Sequence, residues 1–262
     1  RRRHTRLLTV TGVQTCALPI SLAAGAEDVA LVATEPLRRA DDRVEVLRRI
    51  SSHVEGRIAV LEHAEEGLLT VLGLRHGYDR SASLVVVDIG GGSTEIVHIV
   101  PHRPPRSFGV SIGSARLGGV ERGDRPPSAK DWERLRAAAS AGLGAIGLLR
   151  TRQVIVTGGT ATNLLRLLPS TMLDREIAPE DLLAMGKILS SERATEIART
   201  RGISNRRARM LPAGISILEA LLKHTTASVA LVDRGGIREG LVVALARSGL
   251  RWRAELVRLV SP

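Results

Sequence analysis

The chain has 262 residues, 44% hydrophobic and 25% charged, which allows a buried core and excludes disordered, collagenous and coiled-coil classes. Lys and Arg number 38 against 27 Asp and Glu, giving +11, and Lys130, Lys187 and Lys223 are the only lysines. The planar fork of arginine suits phosphate, so an acidic partner fits this charge, although a genome rich in arginine codons explains the bias towards arginine equally well.

Residues 1–20 carry Arg1, Arg2, Arg3 and Arg6 and no acid, so four of the eleven net charges sit in this segment. A basic start suggests a signal peptide, but Thr9, Thr11, Gln14 and Thr15 interrupt the apolar stretch. The string TGVQTCALPI is similar to translated sequencing-adapter sequence, so residues 1–21 are expected to be a non-native leader or an artefact. From residue 22 strand and helix patterns alternate. Strands are expected over Val29–Thr34, Arg57–Leu61, Leu84–Asp88, Thr94–Val100, Gln153–Thr157 and Val229–Val232. Helices are expected around Val44–Val54, over Glu65–Leu74, from an N-cap at Ser128 to about Leu149, and over Ala161–Leu168. Further helices are expected over 180–189, 191–200, 205–223 with a kink at Pro212, and Arg238–Ala246. This is an α/β chain. The proline-rich stretches 101–105 and 126–127 read as loops.

Several function classes fall away. Tyr78, Phe108, Trp132 and Trp252 are the only aromatics and stand apart, so the chain has no stacking platform for single-stranded nucleic acid. The single Cys16 excludes an intramolecular disulfide and a multi-cysteine zinc site, and the histidines show no paired ligand spacing. No apolar run reaches membrane-spanning length, so a cytoplasmic protein acting without nucleic acid or membrane is expected.

The densest chemical motif is VVVDIGGGSTEIV, residues 85–97. A buried strand delivers Asp88, Gly90, Gly91 and Gly92 can present N–H groups to phosphate without Cβ clashes, and Ser93 and Thr94 add hydroxyls. Asp88 and Glu95 are hard oxygen ligands suited to Mg²⁺. The alternative is a tight hairpin with a satisfied aspartate. A second loop, VIVTGGTATNLL, sets Gly158, Gly159 and Thr160 between a strand and a helix, where an anion is favoured but a plain connecting turn fits as well. A third, LVDRGGIREGLVV, offers Arg238 either as a phosphate clamp or as an ion-pair partner of Glu239 or Asp233. The Arg199–Arg209 run is read as a solvated helix face, with a polyanion track as the alternative.

These three loops, in this order, resemble the Ppx/GppA family of exopolyphosphatases and guanosine pentaphosphate phosphohydrolases. Residues 29–50, with Thr34 and Arg38, and residues 57–74, with Glu65 and Glu66, resemble further segments of the family. The resemblance covers about residues 22–246 and implies an actin/Hsp70-like, ribonuclease-H-like α/β fold of two domains. It assigns 22–84 to the second half of an incomplete first domain and 85–236 to the second domain. Residues 237–262 would then be a helix returning towards the first domain, plus a tail.

By resemblance, Glu66 is the catalytic base with Glu65 beside it, and Asp88 and Glu95 hold Mg²⁺. Gly90–Thr94, Gly158–Thr160, Arg38 and Arg238 would bind phosphate, and the protein would be a homodimer. The substrate would be polyphosphate or guanosine pentaphosphate. The alternatives are an actin-like ATPase or small-molecule kinase, and a polyanion-binding fragment without turnover. Departures are visible. The family's opening Asp-x-Gly-Ser-Asn/Thr loop has no counterpart, so N-terminal truncation is expected, and about 16 residues follow Ala246, too few for the helical HD-type domain of long members. The Ser-Gly pair before the two glutamates is Glu62–His63, the alanine after them is Gly67, and Ser-Gly-Thr is Gly158–Gly159–Thr160.

Overall fold

The LVVVDI segment is apolar on both of its alternating faces, and such a strand must be covered on both sides. The structure, a computed structural model, describes residue 25 and residues 30–52, 58–76, 78–79, 81–118 and 123–261. The expected leader, together with Val29 and Arg57 at the starts of two expected strands, lies outside the described residues.

In chain order, β1 (Leu31–Ala33), α1 (Glu35–Arg38), α2 (Arg43–Ser51), β2 (Ile58–Val60) and α3 (His63–Leu72) come first. The hairpins β3 (Leu84–Ile89), β4 (Thr94–Ile99) and β5 (Arg106–Val110) follow, then α4 (Ser114–Gly118), α5 (Ala129–Leu143) and β6 (Gln153–Thr157). Next are α6 (Gly158–Leu164), α7 (Pro169–Asp174), β7 (Glu176–Ile177), α8 (Pro179–Ser191), α9 (Ala194–Arg201) and α10 (Asn205–Lys223). The last are β8 (Ala230–Val232), α11 (Ile237–Ser248) and α12 (Trp252–Val260).

β1 and β2 pair in parallel, and the larger sheet runs β5-β4-β3-β6-β8-β7. Within it β3, β6 and β8 are parallel, while β4, β5 and β7 join antiparallel. One face carries Val85, Val87, Ile96, Val154 and Val156 against α5, α8 and α10. The other carries Leu84, Val86, Val97 and Ile155 against α3, α11 and α12. α3 and α11 cross in backbone contact, because a Cβ on Gly240 would fall 1.7 Å from the Leu69 carbonyl oxygen. That crossing fixes α3 on the sheet.

Boundaries shift where local chemistry outweighs periodicity. The long helix stops at Leu143, short of the expected Leu149, and a short 3₁₀ turn leads to Gly147, whose φ of 74° breaks the helix. The second glycine loop is itself helical from Gly158. β5 was not expected, since Arg106 and Gly109 disguise its alternation.

Candidate active site

One row of residues crosses four strands. Asp88 pairs with Glu95, Glu95 with Gly109, and Asp88 with Thr157 on the parallel side. Paired residues share a face, and alternation puts Asp88 on the side of Leu84 and Val86, beneath α3.

The start of α3 is set by a side-chain cap, in which the Glu62 N–H donates to the Glu65 carboxylate at 2.8 Å. One residue further along, Glu66 turns inward and is 3% exposed. Arg38 of α1 reaches it, donating through Nη1 to Glu66 Oε1 and to the Leu61 carbonyl. Arg38 Nη2 lies 3.0 and 3.2 Å from the two ring nitrogens of His63, whose Nδ1 is 2.8 Å from Glu95 Oε1. A string Glu66–Arg38–His63–Glu95 therefore joins helix to sheet.

Burial pushes the Glu66 carboxyl up to about 7, against the Arg38 hydrogen bond that pulls it down. Burial also pushes Glu95 up to about 7, opposed by the Ser93 hydroxyl and assisted by Asp88. Asp88 rises to about 6 through burial alone. His63 is held below its ordinary value by burial and then by Arg38.

Among the described residues no hydrogen bond is made to the Asp88 carboxylate. Its Oδ1 lies against Gly158, where φ is +90° and a Cβ would fall 2.3 Å away. A desolvated carboxylate without a donor suits a hard divalent cation such as Mg²⁺. No group of three ligand-type side chains converges among the described residues. Asp88 and Glu95 could supply two oxygen ligands to such an ion, and water or phosphate oxygens would have to complete its shell.

In the glycine hairpin the Gly90 N–H donates to the Ser93 carbonyl at 3.0 Å. The Gly90 carbonyl accepts from Ser114, and that of Gly91 from Ala115 and Arg116, at 2.9 to 3.0 Å. The hairpin's acceptors are thus used on α4, and the Gly91 and Gly92 N–H groups have no backbone acceptor among the described residues. Thr160 Oγ1 donates to Ser114 Oγ at 2.9 Å, and Ser114 Oγ donates to the Gly90 carbonyl at 3.2 Å, which ties the two glycine loops together. A cavity of about 160 Å³ lies there, lined by Gly90, Gly91, Gly159, Thr160, Asn163 and Arg207 among others. A larger one, about 240 Å³, lies beside Tyr78, Arg247 and Leu259 and is lined by none of the candidate residues.

Comparison with known proteins gives a consistent answer. Residues 10–248 match the Ppx/GppA phosphatase family, a match that begins inside the segment 1–21. The chain belongs to the Ppx/GppA phosphatase family. It is 26% identical to exopolyphosphatase 1 of Mycobacterium leprae over 236 residues, which covers 86% of this chain and 70% of that protein. Exopolyphosphatase 1 of Mycobacterium tuberculosis is 25% identical over the same length, covering 86% and 69%. Among solved structures, the Aquifex aeolicus PPX-GPPA enzyme superposes with a TM-score of 0.72 at 24% identity, covering 86% of this chain and 78% of that one. An exopolyphosphatase from Cytophaga hutchinsonii gives 0.71 at 21%, covering 87% and 78%. The fold is the α/β, actin-like fold of this family.

In this Ppx/GppA member Glu66, Asp88, Glu95 and Arg38 come together beside the glycine hairpin. Two other candidate residues lie elsewhere. The Glu65 carboxylate caps α3 and pairs with Arg253 of α12. Arg238 stands exposed in the first turn of α11, at the end of α3 remote from Glu66. The seven residues from Glu66 to Gly73 span about 10 Å of helix. The Asp233 carboxylate of the third loop accepts from the N–H groups of Gly235, His76 and Arg75 at 2.6, 2.9 and 3.2 Å, so it fastens the end of α3. The Thr94 hydroxyl donates to the Ile112 carbonyl at 2.7 Å and faces inward.

Sequence reasoning missed two residues. His63 lacks a partner at any sequence spacing, and its partners come from α1 and β4. The Glu35 carboxylate lies over Gly92, where a Cβ would fall 2.2 Å from Oε2, and accepts from Arg116 at 2.8 Å and Arg39 at 3.0 Å. Only the hint of an acid one residue past Thr34, in a segment matched to a phosphatase family, pointed to it.

Proposed function

We propose that this chain is a Mg²⁺-assisted phosphohydrolase that removes the terminal phosphate of inorganic polyphosphate or of guanosine pentaphosphate, with Glu66 as general base. The observation that carries the reading is a buried, arginine-held carboxylate facing two further desolvated carboxylates beside a glycine hairpin. Family membership and the exopolyphosphatase relatives support the substrate class. Both substrates end in the same phosphoanhydride, so the same loops serve either.

In this reading the N–H groups of Gly91 and Gly92, with the Ser93 hydroxyl and the Gly158–Thr160 turn, hold phosphate oxygens. Asp88 and Glu95 hold Mg²⁺, which when bound neutralises charge on the phosphoryl oxygens. Ionised Glu66 takes a proton from water as the water oxygen bonds to the terminal phosphorus. The P–O bond to the next phosphate breaks, and its electron pair leaves on the shortened chain. Arg38 keeps the Glu66 carboxylate in one orientation and favours its ionised form. Arg207, on the cavity wall, offers a cation to the phosphates behind the reacting one.

Phosphate release by wild type and by Glu66→Gln tests this. Loss of a general base should lower kcat by about 10²- to 10⁴-fold. Comparable rates would remove Glu66 from the role, and rates on polyphosphate and guanosine pentaphosphate measured side by side assign the substrate.

A further inference from the structure

We infer that His63 is a positioning residue whose imidazole bridges Arg38 and Glu95, and so sets the orientation of both the arginine that grips Glu66 and the carboxylate opposite Asp88. The inference rests on the phosphohydrolase reading. Its geometry is independent of that reading.

The ring sits in a slot made for it. In β5, Gly109 is the residue paired with Glu95, and a Cβ there would fall 2.2 Å from His63 Cγ and 2.3 Å from its Cβ. Any side chain at 109 would therefore displace the imidazole. From below, the Glu65 cap that starts α3 fixes the His63 backbone as the helix's first residue.

The contacts also select the tautomer. Nδ1 faces the Glu95 carboxylate at 2.8 Å, and a carboxylate accepts, so Nδ1 carries the proton. Arg38 Nη2 lies 3.0 Å from Nδ1 and 3.2 Å from Nε2, so the guanidinium packs against the ring between its two nitrogens. The ring thus meets Glu95 through Nδ1 and the Arg38 guanidinium across its two nitrogens, which is the bridge between them. Removing it leaves Glu95, 3% exposed, without this donor and Arg38 Nη2 without the ring it packs against, and a buried group stripped of its partner is costly and mobile.

The test is a double-mutant cycle on the whole chain. His63→Ala and Gly109→Ala should each lower kcat about tenfold, the lower end of the range for lost outer-sphere partners, with KM within about twofold. The double variant should be no worse than Gly109→Ala alone, because that variant has already displaced the ring and the contact between the two Cβ atoms is common to both. His63→Asn, whose amide can still donate to Glu95, should recover most of the loss. Nitrogen-15 NMR of the imidazole supplies a readout apart from turnover, with a fixed Nδ1–H tautomer expected in the wild type and lost in Gly109→Ala. Additive losses, an Nε2–H tautomer, or an unchanged kcat in folded His63→Ala would each overturn the inference. A wild type that releases no phosphate refutes the hydrolase reading instead, and the NMR arm then decides the bridge alone.

Discussion

Glu66 is pulled two ways, since burial favours its protonated form and Arg38 its ionised form, and the outcome near 7 lies where a general base works best. As a base it must be ionised, so kcat/KM should rise with pH through a limb near 7, and Mg²⁺ should move the coupled Asp88 and Glu95 limbs to lower pH. The same carboxyl bears on stability with the opposite sign. Its folded pKa lies above the ordinary 4.5, so the folded state binds the extra proton and stability falls as pH rises from about 4.5 to about 7. Glu66→Gln should therefore melt higher than wild type at about pH 8, and that gain should shrink towards about pH 5.5 in paired melting curves. Glu35 invites a second experiment. Its negative charge crowds Gly92, where phosphate is proposed to bind, so Glu35→Gln should lower KM for polyphosphate severalfold with little change in kcat. A raised KM would show that Glu35 instead holds Arg116 in place. At this scale the sequence revealed the residues that sit inside a motif, such as Asp88 and Glu95. His63 and Glu35 were illegible because their meaning comes from Gly109 and Gly92, 46 and 57 positions away.

Among elements, α3 carries the site, and its seat on the sheet depends on how closely two backbones approach. Gly240 allows α11 to touch the Leu69 carbonyl. A methyl group there must push the helices apart, so Gly240→Ala should cost about 1–3 kcal/mol, read as a lower denaturation midpoint. Near the other end of α3, Gly67 lies so close to β4 that a Cβ would fall 2.7 Å from Val97 Cγ2. An alanine at this position would have to shift the Val97 side chain. Strands buried on both faces and long amphipathic helices were legible from periodicity alone, as β3, β6 and α10 show. β5 was not, because its Arg106 and Gly109 follow their neighbours across the sheet and break the alternation. The third glycine loop offered Arg238 as a phosphate clamp or as an ion-pair partner, and its Asp233 spends its oxygens on N–H groups around the turn after α3. Glycines that admit a ligand and glycines that admit a neighbouring helix read alike in one dimension.

Across the whole molecule, the excess of arginine is only partly cancelled by ion pairs such as Arg136–Glu219 and Arg48–Glu45, each worth little at an exposed surface. The remaining positive field should draw in a polyanion, so KM for polyphosphate should rise as salt goes from about 0.05 to about 0.5 M while kcat holds, because the Debye length shrinks below the reach of that field. An unchanged KM would confine recognition to the loops themselves. No helix among the described residues is long and apolar enough to cross a membrane. The Arg253–Glu65 pair sets an order of events during synthesis. Arg253 of α12 grips Glu65 and the Val60 carbonyl, at the entrance to the catalytic helix, and it lies 188 residues after Glu65. At about 5–20 residues per second, a ribosome delivers Arg253 about 10–40 s after Glu65. For that interval the nascent chain already holds Glu66, the proposed base, but not the arginine that clamps the start of its helix, so the site can be seated only after Arg253 has emerged.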